Sequence, residues 1–131
     1  MEINLSGHRA LITGGSRGLG RAMAESFAGA GADVAVIARD TEALEDTRVV
    51  LHEARSSGKY LAISADVSDV NEITRAHEEV TAFFGPVDIL VNNAGTSNAK
   101  PFLEVSLQDW LDDFNLKFFS YRYYICFLSS N

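Results

Sequence analysis

Cysteine is nearly absent from this sequence: Cys126 is the only one in 131 residues. No disulfide can close within the chain, which excludes a small, stapled, secreted fold and favours a reducing, cytoplasmic setting. Proline is almost as scarce, with Pro86 and Pro101 the only two. No proline-rich linker, internal repeat or low-complexity tract divides the chain. Positive charge is in short supply, since 11 Lys and Arg face 18 Asp and Glu for a formal net charge of -7. A nucleic-acid polyanion would be repelled over most of such a surface, so any phosphate bound here must be gripped by local groups. Long hydrophobic runs are missing too. The stretch from Phe114 to Leu128 is interrupted by Lys117 and Arg122 and is too short to span a membrane. Met1 to Gly7 carries Glu2 and neither a basic patch nor an apolar run, so no signal peptide is expected. His8, His52 and His77 have no cysteine or carboxylate at ligand spacing on a shared face, and no metal site is expected.

What the chain does have is 47% apolar residues, enough for one core and, at this length, too few for two domains. Four short apolar runs, Arg9 to Thr13, Asp33 to Ala38, Tyr60 to Ser64 and Val87 to Asn92, are mostly rich in Val and Ile, as strands buried on both faces should be. Helical spacing fills the gaps between them. Leu19, Met23, Phe27 and Ala30 form one stripe, Ala43, Thr47, Val50 and Ala54 a second, and Val70, Ile73, Val80 and Phe84 a third, each expected to lie against the sheet. Ser68 and Ser106 read as helix N-caps, the latter with Asp109 three residues on, while Gly29, Gly31, Gly58 and Gly85 fall where helices should end. Strand and helix alternate four times. That order predicts an α/β fold, a Rossmann-type doubly wound parallel sheet of about four strands in the order 3-2-1-4 with helices on both faces.

The segment Thr13-Gly14-Gly15-Ser16-Arg17-Gly18-Leu19-Gly20 begins where the first strand ends and finishes inside the first helix. A diphosphate can sit on a helix N-terminus only where backbone N–H groups approach it without an intervening β-carbon, which Gly14 and Gly18 permit; Gly20 allows close packing of helix on strand. Further on, Asp66-Val67 follows the third strand and Asn92-Asn93-Ala94-Gly95 follows the fourth. All three segments map to carboxyl ends of strands beside the point where the strand order reverses, the place where open α/β sheets bind ligands.

Gly14-x-x-x-Gly18-x-Gly20, Asp66-Val67 and Asn92-Asn93-Ala94-Gly95 together resemble the short-chain dehydrogenase/reductase family over roughly residues 5 to 120. The resemblance implies that Gly14, Ser16, Arg17, Gly18, Leu19 and Gly20 surround the cofactor phosphates. It implies that Asp66 accepts from the adenine amino group while Val67 donates its backbone N–H, and that Asn92, Ala94 and Gly95 line the ribose. The position at the end of the second strand, where an NAD-binding domain usually carries an acid for the 2′-hydroxyl, holds Ala38. Arg39 follows it, and Arg17 lies in the loop, so two guanidinium groups could converge on a 2′-phosphate. NADP is therefore the expected cofactor, with NAD less favoured. Asp40 could accept a ribose hydroxyl or cap the next helix.

In this family a Tyr with a Lys four residues later supports proton transfer, the lysine lowering the tyrosine's pKa. Tyr60, Tyr121, Tyr123 and Tyr124 are followed at that spacing by Ser64, Ile125, Phe127 and Leu128. Asn115 alone carries over as a catalytic position, resembling the fourth-helix asparagine of the family's proton relay. Residues 1–131 are thus read as one NAD(P)-binding domain that is incomplete at its C-terminal side and inactive as it stands. The implied activity is hydride transfer on a small alcohol or carbonyl, in a homo-oligomer without nucleic-acid or membrane partners. The alternative is a catalytically silent nucleotide-binding or oligomerisation module; a methyltransferase on a similar sheet is disfavoured by Asn92-Asn93-Ala94-Gly95.

Overall fold

A computed structural model describes residues 2–95, 101–114, 116 and 125. The apolar runs form strands β1 (Arg9–Thr13), β2 (Asp33–Ala38), β3 (Tyr60–Ser64) and β4 (Ile89–Val91). Between them lie helices α1 (Gly18–Gly29), α2 (Thr41–Ala54) and α3 (Val70–Phe84), and after β4 a 3-10 turn at Phe102–Glu104 and helix α4 (Leu107–Phe114). The four strands pair in parallel in the order β3-β2-β1-β4, the doubly wound arrangement that the alternation of elements predicts.

Successive side chains of a strand point to opposite faces, so a sheet covered on both sides needs unbroken apolar strands. In β1, Leu11 packs with α3 and Ile12 with α1 and α2; in β2, Ala35 and Ile37 face the first core while Val34 and Val36 face the second. The α3 core adds Ile73, Ala76, Val80 and Phe84, and the other adds Ala24, Ala28, Leu44 and Leu51.

Two predicted stripes are rotated. In α1 the buried residues are Gly20, Ala24 and Ala28; Met23 and Phe27 of the predicted stripe are half-buried against the same core, while Leu19 is 70% exposed. In α2 they are Leu44, Thr47 and Leu51, so only Thr47 of the predicted set is buried. In α1 small side chains sit where the helix approaches the sheet and larger ones are pushed to the flanks, whereas in α2 the inward face is carried by Leu44 and Leu51, each one position on from Ala43 and Val50 of the predicted stripe. In α3 the stripe holds at Ile73, Val80 and Phe84, but Val70 in the first turn is 41% exposed.

The helix ends follow local chemistry. Asp69, not Ser68, caps α3 by accepting from the Asn71 N–H at 2.9 Å, and Gly85 ends that helix at φ +88°. Ser106 and Asp109 form the reciprocal capping box expected of them: the Asp109 N–H donates to Ser106 Oγ at 3.1 Å and the Ser106 N–H to Asp109 Oδ2 at 2.9 Å. Strand β4 is shorter than the run from Val87 to Asn92 because side chains take over at both of its ends. Asp88 Oδ1 accepts from the Arg9 N–H at 2.7 Å, with its other oxygen on His8 Nδ1 at 2.7 Å, and the Thr13 hydroxyl takes the N–H groups of Asn93 and Ala94.

Leu51 is fully buried between α2 and the sheet. Leu51→Ala is expected to lower the unfolding free energy by about 2–5 kcal/mol through lost transfer energy and the cavity left behind. The check is a lowered denaturant midpoint at unchanged slope. Val49→Ala on the exposed face of the same helix should leave the midpoint nearly in place.

Candidate functional site

The loops that follow the four strands meet at one cleft of about 920 Å³ at the carboxyl edge of the sheet. Gly14, Ser16 and Arg17 contribute from the loop after β1, and Arg39 and Asp40 from the segment after β2. Asp66 and Val67 line it after β3, Ala94 and Gly95 after β4, and Asp109 and Trp110 of α4 close one side. Of the predicted site residues, Gly18, Leu19, Gly20 and Asn92 do not line it. Asn115 lies outside the described residues.

The glycine loop is held at several points. The Gly14 N–H donates to the Ile37 carbonyl at 2.8 Å, and the Gly14 carbonyl accepts from Asn93 Nδ2 at 3.2 Å. Thr13 Oγ1 accepts from the backbone N–H groups of Asn93 and Ala94, each at 3.0 Å, and donates to the Val91 carbonyl at 3.4 Å. One buried hydroxyl thereby joins the loop after β1 to the loop after β4.

Gly14 has φ +67° and Gly18 φ +54°, a backbone region that a β-carbon disfavours. Space, rather than φ, decides the other two: a β-carbon on Gly15 would stand 2.7 Å from Val36 Cγ1, and one on Gly20 would overlap the Gly14 carbonyl oxygen and crowd Asn93 Nδ2. Helix α1 thus begins against the loop itself. Its N-cap, Arg17, makes no side-chain cap bond and its first turn carries no acid, whereas Asp40 caps α2 and Asp69 caps α3. The opening amides and positive dipole end of α1 are left without a capping carboxylate.

The third wall is arranged around Asp66. Its Oδ1 accepts from the Ser68 N–H at 2.9 Å and from Ser68 Oγ at 2.6 Å, and its own backbone N–H donates to Glu72 Oε2. The Ser68 hydroxyl is the leading cause that holds the Asp66 carboxyl below its ordinary value of 3.8, helped by the Ser68 N–H and the charge of Arg39 against the cost of partial burial. In the fourth wall, Asn92 Oδ1 is buried and accepts no hydrogen bond from any described residue, a costly arrangement unless a donor is supplied to it.

A family model described as short chain dehydrogenase matches residues 8–126. The chain belongs to the short-chain dehydrogenase family. It is similar to D-threitol dehydrogenase of Mycolicibacterium smegmatis, at 38% identity over 109 residues that make up 83% of this chain and 41% of that protein. Among solved structures it is similar to L-sorbose reductase from Gluconobacter frateurii complexed with NADPH and L-sorbose, with a TM-score of 0.91, 33% identity, and coverage of 98% of this chain and 48% of that one. It is also similar to a blue fluorescent protein from a metagenomic library in complex with NADPH, with a TM-score of 0.88, 34% identity, and coverage of 98% and 52%. This short-chain dehydrogenase sequence therefore spans about half the length of the relatives it matches.

Within the short-chain dehydrogenase fold, sequence motifs located the four loops but not the groups that brace them. Thr13, Thr47, Ser68 and Glu72 bind loop backbone or loop carboxylate, yet each is a common polar residue whose partner lies on another element or across a turn. The Asp-x-Ser spacing of Asp66 and Ser68 was the one local signal available, since aspartate side chains favour bonding two residues on. Among the described residues no helix is long and apolar enough to cross a membrane, and no group of three or more His, Cys, Asp or Glu could hold a metal ion.

Two outcomes test this geometry. Gly20→Ala should displace the Gly14 peptide and weaken nucleotide binding together with stability, measurable by calorimetric titration and melting on one sample. Ser68→Ala should raise the Asp66 pKa toward 3.8 in a carboxyl NMR titration. Because Asp66 in the folded chain is held below its unfolded value, its contribution to stability is complete above about pH 4 and is lost as the pH falls through the folded pKa. The stability difference between wild type and Ser68→Ala should therefore exist at neutral pH and disappear in acid.

Proposed function

We propose that this chain is the cofactor-binding part of an NADP-preferring oxidoreductase that transfers hydride between the nicotinamide and a small alcohol or carbonyl. The carrying observation is that Arg17, Arg39, Asp66 and the Asn93 to Gly95 turn, from four separate strand ends, converge on one cleft beside a glycine loop. The names of the two NADPH-bound structures agree with that reading.

The residues present suit such a cofactor. Gly14, Gly18 and Gly20 keep β-carbons away from the opening turn of α1, where backbone amides would hold a diphosphate, with Ser16 and Leu19 beside them. Arg17 and Arg39 would hold a 2′-phosphate with the planar, charge-assisted donors that favour it. Asp66 would accept from the adenine amino group, its Oδ1 fixed by Ser68, while the Val67 N–H donates to the ring. Ala94 and Gly95 would line the ribose from the cleft wall, with Asn92 beside them. When bound, NADP(H) supplies the hydride acceptor or donor.

Proton transfer is the step this chain is not equipped to complete. None of its tyrosines has a lysine four residues later, and Asn115 is the one position assigned to a proton relay. We assign the 131-residue chain cofactor binding without turnover. Helix α4 is assigned to contact with a second copy, because Leu107 and Leu111, one turn apart on it, are both exposed, as is Leu103 in the turn before it.

NADPH should bind the chain roughly tenfold or more tightly than NADH, given charge-assisted bonds to the phosphate, and Arg39→Ala should erase most of that difference. Equal affinities in calorimetric titration would refute the NADP assignment. Purified chain with NADPH and simple carbonyls should show no turnover by absorbance. Sedimentation should reveal a dimer or larger species that Leu107→Asp shifts toward monomer.

A further inference from the structure

Both carboxylate oxygens of Asp40, in the cleft wall, are engaged. Oδ1 accepts from the Ala43 N–H at 3.0 Å as the N-cap of α2, and Oδ2 is paired with Arg17 Nη2. The cap fixes the carboxylate in place, since moving it would strip an orphan amide from the helix start. The other carboxylate oxygen is thereby presented to Arg17, so the acid after the second strand meets a guanidinium from the glycine loop.

The neighbouring backbone is tied to the same helix. Thr47, fully buried on α2, directs its hydroxyl at the Ser16 carbonyl at 3.3 Å and at the Ala43 carbonyl at 2.8 Å. The Ser16 carbonyl, next to Arg17, is thereby in contact with α2, while the Arg17 side chain itself is exposed. Arg17, Arg39 and Asp40 line one wall of the cleft. The Arg17 and Asp40 side chains are 74% and 43% exposed, and a solvent-exposed pair is weak. A phosphate carries more charge than one carboxylate and matches the guanidinium fork bidentately.

We infer that Asp40 is a specificity-determining residue acting through Arg17: it competes with a ribose 2′-phosphate for the guanidinium and so limits the preference for 2′-phosphorylated nucleotides. This rests on the NADP reading above. It gives the acid after the second strand a part different from binding the ribose, that of setting how far Arg17 is available.

The test uses the 131-residue chain, titrated calorimetrically with adenosine 2′,5′-bisphosphate and with adenosine 5′-monophosphate, which differ only in the 2′-phosphate. Asp40→Asn removes the charge and keeps a good N-cap, and Asp40→Ser repeats the test should the first variant fold poorly. The expected result is that Asp40→Asn binds the bisphosphate about two- to fivefold more tightly, the range set by an exposed ion pair, with the monophosphate unchanged. In an Arg17→Ala background the same substitution should give no gain. A gain that survives Arg17→Ala would mean that Asp40 acts on the phosphate directly, and would overturn the route through Arg17. A wild-type preference for the bisphosphate that neither Asp40 variant increases would overturn the inference and leave the NADP reading standing. No preference in wild type or variants would overturn both.

Discussion

The hydroxyl of Thr13 holds the carboxyl ends of β1 and β4 together. It is buried, it takes the N–H groups of Asn93 and Ala94, and it returns its own proton to the Val91 carbonyl. Asn93 then reaches back to the Gly14 carbonyl, and the Gly14 N–H reaches across to Ile37 of β2. Three strands are thereby fixed at their carboxyl ends by groups that would otherwise be unsatisfied in a dry interior. The opening of α1, the position of Gly20 and the mouth of the cleft all follow from where those peptides are pinned.

Electrostatics in this chain are local rather than global. A molecule of formal net charge -7 offers no attraction to anions from a distance, yet its cleft has Arg17 and Arg39 on one wall and a helix start without an acid behind the glycine loop. Each of the other two long helices begins with a capping aspartate and a first-turn glutamate. Their N-termini are neutralised from within, and that of α1 carries no such acid. An anion in this cleft would have to be held by short-range donors, and Asp40, the cap of α2, is paired with one of them.

The fold was legible because strand and helix periods differ and the chain keeps to them. Four apolar runs with helices between them permit few connections, and right-handed crossovers reduce those to the order found. The glycine, Asp66 and Asn92 to Gly95 segments were legible for a different reason: each is a local answer to a demand on the backbone at the end of a strand. The helix faces were harder. The inward faces of α1 and α2 are built partly on Gly20, Ala24, Ala28 and Thr47, residues that contribute little to a hydrophobic pattern but fit where helix and sheet approach closely. Reading bulk as burial placed Leu19 inside, and it is exposed.

What this sequence determined by itself is the order and type of its elements and the places where a loop must leave β-carbons out, because those depend on neighbours a few residues away. What only the tertiary structure decided is which polar side chains serve the cleft. Asp40 could have met a ribose or a helix end, and Thr47 gave no sign of reaching Ser16; the choice was made by packing α2 against the loop after β1, 23 positions back from Asp40 to its partner Arg17 and 31 from Thr47 to Ser16. Such pairings are set by the distance between surfaces, and no spacing along the chain encodes them.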